Sequence, residues 1–312
     1  AVIVEKDVEV PEGLTVIKVE DTRYALALMS AAYFGYPAEK LKTIGITGTK
    51  GKTTTTYMVK AILEEVGHKV GLIGTIEAII GDKTIPSNNT TPESYTIQKY
   101  FAQMVEAGCD CVVMEVSSQG LEQRRVSPCQ FKVGVFTNLT QDHLDVHGTM
   151  ENYYQAKKIL FLQSDSAIIN IDDEAGVRYI NEITCPVKTY SAEGKADFYA
   201  EDIILSADGV KYVFSDGDSR HNVNFKMPGL FNVSNSLAVI ACCETLGFDI
   251  DKTIKSINAM SGVRGRAEVV PTGRDFTVIC DYAHTPDAIV NVLTAIKGSA
   301  KGKVKCLFGC GG

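Results

Sequence analysis

Gly45-Ile46-Thr47-Gly48-Thr49-Lys50-Gly51-Lys52-Thr53-Thr54 is the stretch on which the reading of the fold turns. KTIGIT, in which it begins, has the pattern of a buried strand, and TYMVKAILEEV after it has the pattern of a helix. The glycines therefore lie in a strand-to-helix turn, which is a phosphate cradle. Amides in the turn and at the helix start hold phosphate oxygens, Lys52 neutralises them, and the Thr53 hydroxyl can join the coordination shell of magnesium. Gly45 stands six positions before Gly51 where the usual loop has five, so the context carries the match. An ordinary glycine-rich turn is the alternative.

Outward from the loop, the order predicts a mostly parallel α/β sheet. A strand at KVGLIGT, a polar loop at 87–92 and a helix over 94–107 follow the first helix. CDCVVME, KVGVFTNL and SAIINID read as buried strands, with a helix over 150–162 before the last. DFYAEDIIL, VKYVFSD and NVNFKM, separated by Asp-Gly turns between 196 and 225, read as antiparallel strands that cap or extend the sheet. Helices are expected over 232–246, 251–260 and 286–296, with strands at TVICDYA and KVKCLFG. VIVE, TVIKVE and YALALMSAAYF before the loop are too little to close a domain, and the glycine turn at the far end lacks the helix it should introduce. The expected organisation is a partial N-terminal domain over 1–42, a central nucleotide domain over 43–268 and a truncated Rossmann-like domain over 269–312.

Composition narrows the function. The chain has 312 residues, enough for a sizeable core, and 31 basic against 38 acidic residues give a formal charge of -7. That balance offers no global attraction to nucleic acid or anionic membrane, so any anion site is local. Nine cysteines are scattered, and Cys109, Cys111, Cys129, Cys242, Cys243 and Cys280 fall in apolar runs, as buried thiols of a reducing compartment do. The 109/111 and 306/310 cysteine pairs lack the accompanying ligands of a zinc site. With no signal peptide and no apolar stretch that could span a bilayer, the expected location is cytoplasmic.

Several polar residues fall where sheet crevices form. Glu115 ends a buried strand with Ser117 and Ser118 after it, and can hold magnesium or merely cap the next element. Asp142, His143, Asp145 and His147 crowd one loop, either as site residues or as a solvated turn. Of Lys157 and Lys158 on the next helix, spacing alone does not say which faces a cleft. Thr90, Thr91 and Pro92 offer hydroxyls and a fixed turn to a polar substrate, and Arg124 and Arg125 could pair with its phosphates. Asn232 and Asn235 start a helix and could simply cap it, while Arg264 and Arg266 could clamp phosphate or pair with Glu268. Asp281 closes an apolar strand, with His284 and Thr285 after it, and suits a ribose hydroxyl or a helix cap.

Taken together, TGTKGKTTT, NNTTPES, MEVSSQGLEQRR, TNLTQDHLDVHGTMENYYQAKKILF, GLFNVSNSLA, GVRGRAEVV, DYAHTPDA and FGCGG resemble the Mur ligase family, most closely its branch that adds the third residue of the peptidoglycan stem. The resemblance implies a monomeric enzyme using ATP and Mg2+. It would join UDP-N-acetylmuramoyl-L-alanyl-D-glutamate to a diamino acid through an acyl phosphate, meso-diaminopimelate being favoured over L-lysine, without nucleic acid or membrane insertion. It implies that Gly48, Thr49, Lys50, Gly51, Lys52, Thr53 and Thr54 hold the nucleotide phosphates, and that Thr53, Glu115 and His143 ligate metal. Lys157 matches the lysine that the family carbamylates to N6-carboxylysine, with Lys158 the runner-up. Asn89, Thr90, Thr91, Ser117, Ser118, Gln119 and Arg125 fall on the muramoyl substrate, and Asn232, Asn235, Arg266 and Asp281 on adenosine or phosphate. Gln119 stands where the family usually has histidine and Lys50 where asparagine is common, which bears on substrate contacts and on loop geometry. Another Mur or folate-extending ligase, a plain NTPase and a non-catalytic nucleotide-binding protein are the competing readings.

Overall fold

The computed structural model describes residues 1–206, 209–260, 262–283, 286–300 and 302–309. β1 (Val2–Val4) and β2 (Val16–Lys18) form a small parallel sheet of their own. α1 (Thr22–Tyr33) follows, started by the Asp21 carboxylate, which accepts the Tyr24 amide. Next come β3 (Lys42–Thr47), α2 (Lys52–Glu65), β4 (Val70–Ile73), the hairpin β5 (Glu77–Ile80) and β6 (Lys83–Pro86), and α3 (Ser94–Glu106). β7 (Cys111–Glu115), α4 (Ser118–Glu122), β8 (Val133–Phe136), α5 (Leu144–His147), α6 (Met150–Leu162) and β9 (Ala167–Asn170) carry most of the polar motifs. The chain continues through α7 (Glu174–Glu182), β10 (Val187–Ser191), β11 (Phe198–Ser206), β12 (Gly209–Ser215) and β13 (Arg220–Phe225) to α8 (Leu230–Thr245) and α9 (Ile250–Ala259). β14 (Glu268–Val270) pairs antiparallel with β15 (Val278–Cys280), and α10 (Pro286–Ser299) follows.

Among the described residues, eleven strands form one sheet in the order β13-β12-β11-β10-β9-β8-β3-β7-β4-β5-β6. From β11 to β4 every neighbouring pair is parallel, and an antiparallel hairpin extends each edge. The chain winds from β3 towards β4 on one side and from β8 towards β9 on the other. The order therefore reverses beside β3, where a crevice opens at the strands' carboxyl ends. Two cores cover the sheet. Met58, Ile62, Leu237 and Ile257 of α2, α8 and α9 lie on one face, and Ile97, Phe101, Leu160 and Tyr179 of α3, α6 and α7 on the other. α8 is buried along most of its length, which explains why LFNVSNSLAVIACC has no polar stripe. Among the described residues no helix is long and apolar enough to cross a membrane.

The structure corrects four expectations. KVKCLFG forms no strand: its described residues, 303–309, are exposed and pair with no other strand. Cys280 is exposed rather than buried, because β15 has only β14 beside it, whereas Cys109, Cys111, Cys129, Cys242 and Cys243 are buried as expected. Asn232 and Asn235 lie inside α8, not at its cap, which is Gly229. Cys111 has company: His68 and Asp110 bring ligand atoms to within 4.8 Å of one another and of its sulfur, although burial pushes the thiol up to about 12, so it stays protonated. The hairpin β5–β6, α7 and β10 were not anticipated.

Candidate active site

The cradle begins where β3 ends. Gly48 has φ +150° and Gly51 φ +85°, and a Cβ on Gly48 would fall 1.9 Å from Thr137 Oγ1. Asn138, after β8, holds the turn: its side-chain oxygen accepts the Lys50 amide (2.8 Å) and its carbonyl accepts the Thr49 amide (2.8 Å). Those two amides are thus engaged, and the amides left at the start of α2 are those of Lys52, Thr53 and Thr54. They precede the first bond of α2, from the Thr55 amide to the Gly51 carbonyl (3.0 Å). Lys52 Nζ donates to the carbonyls of Gly48 (2.8 Å) and Thr49 (3.0 Å), and burial lowers its pKa against the pull of Glu115.

β3 and β7 are neighbours in register, Ile46 opposite Glu115, and this brings the loop and the carboxylate together. Glu115 is buried. Oε2 accepts from Thr53 Oγ1 (2.9 Å) and Thr75 Oγ1 (3.0 Å), and Oε1 accepts the Thr75 amide (2.8 Å). Two ligand oxygens at adjacent positions of an octahedral magnesium, with bonds of 2.0–2.1 Å, lie about 2.9 Å apart. The Thr53–Glu115 separation therefore suits that ion. Arg266 Nη2 donates to Thr53 Oγ1 (2.9 Å) while its guanidinium lies 4.9 Å from the Tyr282 ring centroid. The Glu268 carboxylate accepts the Gly265 amide instead of pairing with these arginines. Asp281 accepts the amides of Ala267 and Ala283, both at 2.7 Å. Asn232 donates to the Pro228 carbonyl, and Asn235 donates to Asn232 and receives the Thr55 hydroxyl (3.4 Å).

The histidine-rich loop splits. His143, left-handed at φ 52°, is exposed and lowered in pKa by burial of its neighbourhood against the pull of Asp142. Asp142 pairs with Lys50 (3.3 Å), and the attraction of His143 and Lys50 outweighs burial to lower its pKa. His147 is buried, with Nε2 2.9 Å from Ser118 Oγ. The two lysines separate cleanly: Lys158 pairs with Glu182 (2.8 Å), whereas Lys157 is buried and donates to the Gly48 carbonyl (3.0 Å). Burial first and Lys52 second hold the Lys157 pKa well below the usual lysine range.

A cleft of about 450 Å³ joins the loop from Thr49 to Thr54 with Glu115, His143, Thr90, Asn235, Arg266 and Asp281. Gly48, Asn89, Thr91, Ser117, Ser118, Gln119, Arg125, Lys157 and Asn232 do not line it. The buried Thr91 hydroxyl donates to the Glu115 carbonyl (3.0 Å) and accepts the Ser117 amide (2.9 Å). Thr90 Oγ1 lies 3.0 Å from Thr75 Oγ1, Asn89 and Gln119 are exposed, and Ser117 caps α4. Arg125 pairs with Glu93 (2.9 Å) and Arg124 with Asp21 (3.3 Å), so protein carboxylates hold both where phosphates were expected. His284 and Thr285 lie outside the described residues. Sequence reasoning missed Asn138 and Thr75, and noted Tyr282 beside Asp281 without giving it a role. The TNLT run after a buried strand was an available signal for Asn138, whereas Thr75 gains meaning only from the folded crevice.

Residues 46–243 match the Mur ligase middle domain, and residues 265–312 match the Mur ligase glutamate ligase domain. The chain belongs to the Mur ligase family. This Mur ligase chain is 48% identical over 309 residues to the "UDP-N-acetylmuramoyl-L-alanyl-D-glutamate--2,6-diaminopimelate ligase 1" of Clostridium acetobutylicum, covering 97% of this chain and 64% of that protein. It is 46% identical over 303 residues to the Clostridium tetani protein named for the same reaction, covering 96% and 62%. It thus spans less than two thirds of the length of these relatives. A solved ligase structure so named superposes with a TM-score of 0.84 at 29% identity, covering 100% of this Mur ligase and 65% of that chain. A structure described as a mutant of "L. casei FPGS" shares the fold, at TM-score 0.71 and 17% identity, with 90% and 77% covered.

Proposed function

We propose that this Mur ligase chain carries the nucleotide-binding and carboxylate-activating part of an enzyme that adds meso-diaminopimelate to UDP-N-acetylmuramoyl-L-alanyl-D-glutamate at the expense of ATP. The observation that carries the reading is the convergence of the phosphate loop, Glu115, His143, Arg266 and Asp281 on one cleft. The names of the relatives support the choice of substrate and amino acid. A carboxylate is a poor electrophile; its attack on the γ-phosphate gives an acyl phosphate, which the uncharged amine then attacks to form the amide and release phosphate.

The α2 amides and Lys52 hold the transferred phosphoryl group and offset its charge, and Arg266 adds a second cation at the same edge. Thr53 and Glu115 would hold Mg2+, with His143, neutral at pH 7, at a second ion. The metal supplies charge neutralisation on the phosphates. Asp281 and Asn235 face the nucleoside. Lys157 is suited to carbamylation because burial favours its uncharged amine: the lone pair attacks CO2, an N–C bond forms as one C=O π bond opens to an oxyanion, and a proton leaves to solvent, turning a potential cation into an anion beside the loop. The deciding assay offers UDP-N-acetylmuramoyl-L-alanyl-D-glutamate and ATP to the full-length protein with meso-diaminopimelate or L-lysine, and weighs the products. A tripeptide product with the first amino acid is expected; a product with L-lysine only corrects the amino acid, and none with either overturns the reading.

A further inference from the structure

His147 has no part in the reaction proposed above, yet it is tied to several of the residues that do. Its side chain is fully buried, with Nε2 2.9 Å from Ser118 Oγ and Nδ1 3.4 Å from a Glu122 carboxylate oxygen without a hydrogen bond. Its ring stacks on Tyr153, centroids 5.0 Å apart and planes 22° from parallel. Asn152 donates to its carbonyl (2.8 Å), which fixes the turn between α5 and α6. Tyr153 in turn touches both halves of the nucleotide site. The Lys157 Nζ lies 4.4 Å from its ring centroid, and its hydroxyl is 3.2 Å from Thr49 Oγ1, which also accepts the Thr140 amide (3.0 Å).

We propose that His147 is a positioning residue: anchored to Ser118, just beyond the strand that carries Glu115, its ring fixes Tyr153 and through it the Lys157 amine and the phosphate loop. This rests on the ligase reading. The imidazole supplies what no single smaller group can, a hydrogen bond at one edge and a flat face for stacking. A loose Tyr153 would leave Lys157 with only the Gly48 carbonyl to hold it, and displacements of about 1 Å in such a site cost on the order of a hundredfold in rate.

The test compares His147→Gln, which can still reach Ser118 but has no ring, with His147→Phe, which keeps a ring and loses the hydrogen bond. Two readouts are taken on the full-length protein: kcat and KM for ATP, and the carbamate carbon signal of Lys157 in 13C-bicarbonate. The expected result is a kcat lowered roughly tenfold to a hundredfold in His147→Gln. Its KM for ATP should stay within about threefold and its carbamate signal should weaken, with both readouts restored in part in His147→Phe, which keeps the stacking face and loses the anchor. A His147→Gln enzyme with wild-type kcat and signal, or equal impairment in both variants, overturns the proposal. If His147→Gln does not fold, His147→Asn, which likewise lacks the ring, takes its place and is judged on the same two readouts. Should the unaltered protein make no tripeptide product, the ligase reading falls and the carbamate signal alone decides the role of His147.

Discussion

A lysine amine buried without a carboxylate partner, as that of Lys157 is, costs the fold something at every pH where it would otherwise carry a proton. Burial and the like charge of Lys52 lower its pKa well below the ordinary 10.5. Between the lowered folded value and 10.5 the unfolded chain binds more protons than the folded one, so this residue makes stability rise with pH across that window. In carbonate-free buffer, Lys157→Met is therefore expected to be more stable than the wild type near neutrality. The difference in urea midpoint should shrink as pH climbs towards 10.5; a constant difference would mean that Lys157 does not titrate in this way. Gly48 is a constraint of another kind. A methyl group there meets Thr137 Oγ1 at 1.9 Å on a backbone already at φ +150°, so Gly48→Ala should lose about 1–3 kcal/mol in denaturant unfolding and weaken nucleotide binding.

Among the elements, α3 shows how the sheet's second face is held. Ile97, Phe101 and Met104 recur at helical spacing and are wholly buried, so Phe101→Ala should cost about 3–5 kcal/mol of unfolding free energy without changing the KM for ATP. This element was readable because its apolar residues recur at helical spacing, just as β3, β7 and β8 were readable from their short apolar runs. The hairpin β5–β6 was equally legible in principle: Gly81-Asp82 between EAII and KTIP is a two-residue hairpin signal. β10 was not, since VKTYS lacks a sustained apolar run and becomes a strand by pairing with β9 and β11. The site divides in the same way. Lys52 announces itself in the glycine turn and Glu115 at the end of a buried strand, whereas spacing alone left Lys157 and Lys158 open, and the fold separates them by burying the first and pairing the second with Glu182 from a different helix. The partners of the Thr91 hydroxyl, the Glu115 carbonyl and the Ser117 amide, come from another strand and its following turn and were not legible in the polar loop itself.

For the molecule as a whole, a ligand that binds only the folded cleft stabilises all of it. MgATP at a hundredfold excess over its Kd should raise the unfolding free energy by about 2.7 kcal/mol, and Lys52→Ala should abolish most of that gain; an equal gain in both proteins would place the nucleotide elsewhere. The bond from Arg266 to Thr53 spans 213 positions of the chain and that from Thr55 to Asn235 spans 180. During synthesis the phosphate loop leaves the ribosome long before these partners exist, and closing such long-range contacts is slow. A nascent chain thus cannot complete this cleft from its first half. Acquisition of nucleotide affinity becomes a late clock on biosynthesis, one that starts only when residues on both sides of the sheet have been made and joined.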